Sequence, residues 1–291
     1  MRGIFTALVT PFQDRGFGIH EKIFRELIER QISAKIDGLV IAGSTGEGPC
    51  LKENEWIQAI QIASEYSSHI HIMVSIGSSS TWMTSEKAQL AVSLGAESLL
   101  VSSPAYNKPT QLGLLEHFQE VARQVPHTPL MVYNIPGRTG VNITAETMQK
   151  IWEIENIVAL KESSGNWAQF LQMQSRLPEG KSIFSGDDPL NLAFFLHGAS
   201  GSVSVLSNLL PESLVSLWSK AEAQRWQEAR KEFFDLLNLT EALFLESNPI
   251  PVKWALGQVL GYDLSPRAPL SRLSPPNEKI LAALLKEKFK L

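Results

Sequence analysis

Ile157-Val158-Ala159-Leu160-Lys161-Glu162 sets four apolar residues in a row and stops them at a lysine. A half-exposed strand alternates apolar and polar residues, so a continuous run reads as a strand covered on both faces, as in a parallel sheet. Seven further runs of this kind punctuate the chain: Ile4–Thr10, Leu39–Ala42, His71–Ile76, Leu99–Ser102, Leu130–Tyr133, Ile183–Ser185 and Ser202–Val205. Amphipathic stretches fill the gaps. Ile23, Leu27 and Ile28 share one helical face, and the pattern returns in Leu114, Leu115, Phe118, Val121 and Ala122 and again in Leu214, Leu217, Trp218 and Ala221. Thr144, ahead of Glu146, is placed to cap another helix. Strands alternating with helices in this number predict an α/β protein, a (β/α)8 TIM barrel, with an open doubly wound sheet as the alternative.

Beyond the eighth run the rhythm changes. Trp226–Leu245, Pro251–Leu260 and Glu278–Phe289 read as helices with no strand between them, and Arg267–Pro276 reads as a proline-rich loop. The expected organisation is a barrel over residues 1–225 and a helical subdomain over 226–291, ending in the solvated charge run Lys286 to Lys290. Composition narrows the function. The 291 residues are 44% hydrophobic, ample for a core, and the 26 basic against 30 acidic side chains leave a net charge of −4 without basic clusters, which argues against nucleic acid. No run is apolar for the ~18 residues that a membrane span needs. Met1–Phe12 lacks the form of a signal peptide, and a single cysteine, Cys50, cannot form an internal disulfide. A cytoplasmic protein acting on small molecules is expected.

Barrels and open α/β sheets both gather reactive groups at the carboxyl-terminal ends of their strands. Lys161 ends the sixth run. Burial disfavours an ammonium, and a neutral amine there could form a Schiff base with a carbonyl substrate, although pairing with Glu162 or escape to solvent is equally open. Tyr133 ends the fifth run, where its hydroxyl could relay protons or simply pack. Arg138 follows in a Pro/Gly turn, where a guanidinium can fork onto a carboxylate. Gly43-Ser44-Thr45-Gly46-Glu47-Gly48 follows the second run and suits an anion, though not as a P-loop, because no Gly-Lys-Ser/Thr follows. Tyr106 lies between Pro104 and Pro109 after the fourth run, so two of the chain's four tyrosines stand just past strands. In Ser185-Gly186-Asp187-Asp188, Asp187 or Asp188 is better placed to cap a helix from Pro189 than to hold a cation. No metal-ligand spacing occurs, and no cofactor is implied. Asn248-Pro249-Ile250-Pro251-Val252-Lys253 reads as a stiff connection.

Taken in order, Gly43-Ser44-Thr45-Gly46-Glu47, Tyr133 to Gly140, Lys161-Glu162, Ser185 to Asp188 and Asn248 to Lys253 resemble the dihydrodipicolinate synthase family from about Gly3 to the C-terminus. The resemblance implies a barrel with a C-terminal helical domain and a class I aldolase mechanism in diaminopimelate and lysine biosynthesis. Lys161 would bind pyruvate as a Schiff base and Tyr133 would exchange protons. Thr45 and the backbone at Val203 would contact the pyruvate carboxylate, and Arg138 would gather the carboxylate of aspartate semialdehyde. Ser44 and Tyr106 would complete a hydroxyl relay, Tyr106 reaching into a neighbouring subunit, which implies a homodimer or homotetramer.

Two departures stand out. The family usually carries threonine where Ser44 stands, and serine keeps the hydroxyl but loses the methyl that fixes its rotamer. Lysine-inhibited members of the enteric type carry tyrosine at Ala105 and histidines at Glu53 and Trp56. N-Acetylneuraminate lyase and keto-deoxy sugar-acid aldolases are the nearest alternatives, and Arg138 within Gly-Arg-Thr-Gly speaks against the former. A pyridoxal phosphate enzyme and an inactive small-molecule sensor are readings from other classes. The missing effector ligands predict weak or absent feedback inhibition. Submillimolar lysine is expected to leave turnover of the purified protein essentially unchanged, and potent inhibition in that range refutes the expectation.

Overall fold

In the computed structural model, which describes residues 1–13 and 18–289, the eight runs become β1 (Gly3–Ala7), β2 (Gly38–Ile41), β3 (His71–Ile76), β4 (Ser98–Ser102), β5 (Leu130–Asn134), β6 (Ile157–Glu162), β7 (Ser182–Ser185) and β8 (Gly201–Ser204). Every strand pairs in parallel with its neighbours in sequence, and β8 returns to β1, closing the barrel. Outside lie α1 (Glu21–Ser33), α2 (Glu53–Ser64), α3 (Thr81–Ser93), α4 (Gln111–Gln124), the single turn α5 (Pro136–Thr139), α6 (Ala145–Ile151), α7 (Trp167–Gln174), α8 (Asn191–Leu196) and α9 (Pro211–Glu222). Thr144 caps α6 as expected, accepting from Thr147 N at 3.2 Å. Lys290, the end of the predicted terminal charge run, lies outside the described residues.

Strand parity divides the apolar residues into two cores. Phe5, Val40, Met73, Leu100, Met131 and Ala159 point inward and fill the barrel. Their sequence neighbours Ile4, Leu39, Ile72, Leu99, Leu130 and Leu160 point outward and pack beneath the helices. This is why the runs lack polar alternation, since neither face meets water. The first run is shorter than expected as a strand. Leu8 still donates from its backbone N to Val40 O at 3.1 Å, but Val9 and Thr10, though buried, leave the ladder: Val9 N donates to Asn208 Oδ1 at 3.0 Å and the Thr10 hydroxyl to Gly46 O at 2.7 Å.

The C-terminal region is helical, with α10 (Trp226–Ala242), α11 (Ile250–Leu260) and α12 (Pro275–Phe289). The supposed stiff connection Asn248–Lys253 in fact enters α11: Pro251 sits in the first turn, where its missing N–H costs no helical bond. Likewise Pro275 and Pro276, expected in a loop, begin α12.

Lys253 on α11 is fully buried, and its ammonium meets the Glu47 carboxylate at 2.6 Å. Burial pushes the Lys253 pKa down and the Glu47 charge opposes it. Two further bonds satisfy the pair, from Lys253 Nζ to Thr10 O at 2.9 Å and from Arg267 N to Glu47 Oε2 at 2.7 Å. Removing one member strands the other charge in the interior. Lys253→Met is therefore expected to lower stability in urea unfolding at neutral pH by about 3–5 kcal/mol, and adding Glu47→Gln should recover part of the loss. A single variant within about 0.5 kcal/mol of the wild type would show the pair to be dispensable.

Candidate active site

Parity also settles where Lys161 goes. It shares its phase with Ala159 and so points inward, while Glu162 shares the phase of Leu160 and points outward. Pairing between these neighbours is thereby ruled out. Glu162 instead accepts from Asn134 Nδ2 at 2.9 Å and Ser164 N at 2.7 Å, and burial pushes its carboxyl up. Lys161 is only 6% exposed and stands in register with Tyr133 on the adjacent strand. Its Nζ lies 4.1 Å from the centroid of the Tyr133 ring.

Room for the lysine comes from Gly186, just past β7. A Cβ there would stand 2.7 Å from Lys161 Cε and collide with Ser163 Oγ, so only glycine lets the loop pass this close. Lys161, Tyr133, Ser44, Thr45 and Arg138 all line one cavity of 540 Å³ at the carboxyl-terminal mouth, walled on its far side by Phe244 to Asn248. A second cavity of 410 Å³ adjoins it across Tyr133, Arg138 and Asn248, and Ala105 and Trp56 line that one. Val203 belongs to the inner layer of the barrel with Tyr133 and Phe184.

Loops aim the polar groups. After β2 the chain turns sharply, with Ala42 and Glu47 both at φ +55°, and Gly48 N closes the turn on Gly43 O at 3.0 Å. Thr45 Oγ1 accepts from Asn248 Nδ2 at 2.9 Å, and Arg138 Nη2 donates to Asn248 O at 2.8 Å. Asn248 thus ties the β2 loop to the arginine. Sequence reasoning missed it, as it missed Glu47 and Lys253; the available signal was a lysine set among the apolar residues of α11. The expected capping role of Asp187 or Asp188 is not found. The Asp188 carboxylate accepts from Val205 N and Leu206 N at 2.8 and 2.9 Å and so holds the turn after β8, while Asp187 lines the cavity. Tyr106 is not gathered with the others. At φ +73° and 89% exposed, it points away from its own barrel, and its backbone N donates to Thr139 O at 3.3 Å.

Fold and cavity together define a (β/α)8-barrel protein built around a lysine at its carboxyl-terminal mouth. The chain belongs to the Dihydrodipicolinate synthetase family, whose match covers residues 1–288. A 4-hydroxy-tetrahydrodipicolinate synthase of Exiguobacterium sp. is 41% identical over 288 residues, spanning 97% of this chain and 96% of its own. One from Acaryochloris marina is 42% identical over 278 residues, covering 94% of this chain and 93% of its own. Among solved structures, the chloride-inhibited dihydrodipicolinate synthase from Acinetobacter baumannii, complexed with pyruvate, superposes with a TM-score of 0.96 at 34% identity, covering 100% of this chain and 99% of that one.

Beneath the β2 loop, Arg267 clamps Glu55 with two bonds of 2.6 Å and its guanidinium lies 3.9 Å above the Phe12 ring. This bidentate contact, the largest cause, lowers the Glu55 pKa from 4.5 to about 2. A depressed carboxyl stabilises the fold above its unfolded value and loses that contribution as pH falls toward its folded value. Glu55→Gln is expected to cost about 2 kcal/mol at neutral pH, with the gap to wild type narrowing below about pH 4.5. A gap independent of pH in urea unfolding would contradict the assignment.

Proposed function

We propose that the chain is a Schiff-base-forming lyase that condenses pyruvate with L-aspartate 4-semialdehyde to 4-hydroxy-tetrahydrodipicolinate. The observation that carries this reading is the inward lysine facing Tyr133, 4.1 Å from its ring, in a cavity that also holds Arg138. In this reading Lys161 Nζ attacks C2 of pyruvate and water leaves as the imine forms. Loss of a methyl proton gives an enamine, which attacks the aldehyde carbon, so that the aldehyde oxygen becomes the 4-hydroxyl. The α-amine then attacks C2 and displaces Lys161, closing the ring with one water lost overall. Tyr133 moves the protons, with Ser44 and Tyr106 as its relay. Thr45 and the backbone at Val203 receive the pyruvate carboxylate, and Arg138 receives that of the second substrate. No cofactor takes part in this scheme.

The relay needs a second copy of the chain. Tyr106 is exposed, as are Trp82 on α3 and Leu112 on α4, and Asn107 Nδ2 joins its loop to Ser79 O, ahead of α3, at 2.7 Å. An exposed tyrosine held on a left-handed residue is suited to a homo-oligomer, a dimer or tetramer in which Tyr106 enters the neighbouring site. We place the enzyme in the cytoplasm, in diaminopimelate and lysine biosynthesis. No helix among the described residues is long and apolar enough to cross a membrane. A sialic acid or sugar-acid aldolase would use the same lysine chemistry, and the second substrate separates the readings.

Incubation with pyruvate followed by borohydride should leave a reduced pyruvyl adduct on Lys161 in peptide mass spectrometry. Lys161→Ala should abolish it, and Tyr133→Phe should lower kcat by about 10²–10⁴-fold. Absence of any adduct on the wild type would sink the aldolase reading. An adduct accompanied by cleavage of sialic acid, with no turnover of aspartate semialdehyde, would transfer the reading to the lyase.

A further inference from the structure

Four charged side chains line the mouth cavity: Lys161, Arg138, Asp187 and Glu246. Three have a clear engagement. Lys161 faces the Tyr133 ring, Arg138 donates to Asn248 O, and Glu246 accepts from Ser274 N and Asn277 Nδ2 at 3.0 and 2.8 Å. The Asp187 carboxylate has none. Its backbone is fixed by Ser185, whose hydroxyl donates to Asp187 O at 3.1 Å and accepts from Asp187 N at 3.3 Å. Among the described residues its side chain makes neither a salt bridge nor a hydrogen bond, although it is half-buried.

The position is held tightly. Gly186 is anchored through its N–H to Glu162 O at 2.9 Å and passes against the Lys161 side chain, and Asp187, the next residue, lines the same cavity as the amine. Asp188, the next residue, is spent on the backbone of Val205 and Leu206. Burial first, and then the charge of Asp188, push the Asp187 carboxyl up. A carboxylate in that condition is stabilised by any cation brought beside it.

We infer that Asp187 is a specificity-determining residue that accepts a hydrogen bond from the α-ammonium of the second substrate. The inference rests on the function proposed above. That substrate carries one carboxylate, one aldehyde and one ammonium, and the cavity offers a separate complement to each: Arg138, the lysine-bound enamine and Asp187. The carboxylate also discriminates by chemistry, since an aldehyde acid without an amine leaves Asp187 unpaired and forfeits a charge-assisted bond.

Asp187→Asn keeps the shape and removes the charge, and Asp187→Ser gives a second, smaller neutral side chain. Both variants are expected to raise KM for aspartate semialdehyde by about 10- to 100-fold. The borohydride-trapped pyruvate adduct and the KM for pyruvate should stay unchanged. Inhibition by succinate semialdehyde, which keeps the aldehyde and carboxylate but lacks the amine, should also be unchanged. An unaltered KM for aspartate semialdehyde overturns the inference. So does equal weakening of both semialdehydes, which would mark a structural role. Failure of the wild type to trap pyruvate would instead defeat the underlying function, and the two failures are thus distinguishable.

Discussion

The carboxylate of Glu47 and the ammonium of Lys253 meet at 2.6 Å with neither exposed to solvent, and the geometry of the barrel mouth hangs from that contact. Taking two charges out of water costs several kcal/mol each, which their attraction offsets only when the remaining donors and acceptors are satisfied. Here they are. Thr10 O takes a second ammonium proton, Arg267 N covers the other carboxylate oxygen, and the Phe12 ring lies under the Lys253 ammonium at 4.3 Å. The pair joins the loop after β2 to the first turn of α11. Asn248 stands just ahead of that turn and reaches Thr45 on one side and Arg138 on the other. A C-terminal helix, remote in sequence from β2, thereby sets the distance between the anion-suited loop and the guanidinium.

A second constraint, strand parity, acts on the amine. In a sheet buried on both faces, a one-residue slip would turn Lys161 out under the helices and Glu162 into the barrel. The apolar neighbours prevent it. Ala159 belongs to the inner layer and Leu160 to the outer one, and both are fully buried. The register Tyr133↔Lys161 follows from the same alternation on β5, where Val132 faces out and Tyr133 faces in. The pairing of the two groups is thus a property of the barrel walls and needs no contact between the side chains to enforce it.

These two constraints differ in how far the chain betrays them. Strands buried on both faces leave continuous apolar runs, so all eight are legible, and a lysine closing such a run is an anomaly visible at once. Boundaries are less so. Nothing local says that Val9 and Thr10 leave the ladder, because the competing acceptor, Asn208, arrives from the turn after β8. The Glu47–Lys253 pair is harder still, since its members stand 206 residues apart and each looks locally like an ordinary charge beside a turn. Asp187 and Asp188 show the opposite failure. The local pattern, two acids before a proline, is a good capping signal, yet the backbone N–H groups after β8 claim Asp188 and leave Asp187 to the cavity. Tyr106 is legible as an outlying tyrosine, and the fold leaves it exposed and outside the cavity that gathers the other candidates.

The site therefore has two tiers with different freedom to change. Lys161 and Tyr133 ride on strands and cannot be re-aimed without disturbing the layers on either side of them. Arg138 sits on a single helical turn, and Asp187 and Asn248 sit on loops, where a substitution shifts one side chain and leaves the core intact. A barrel divided in this way can keep one amine chemistry while altering the partner with which the first substrate reacts. The tiers meet at Gly186. Its missing side chain is what allows the loop that carries Asp187 to lie within contact distance of the strand-borne lysine. A Cβ there would meet Ser163 Oγ and the Lys161 side chain, so either the loop or the lysine itself would have to shift.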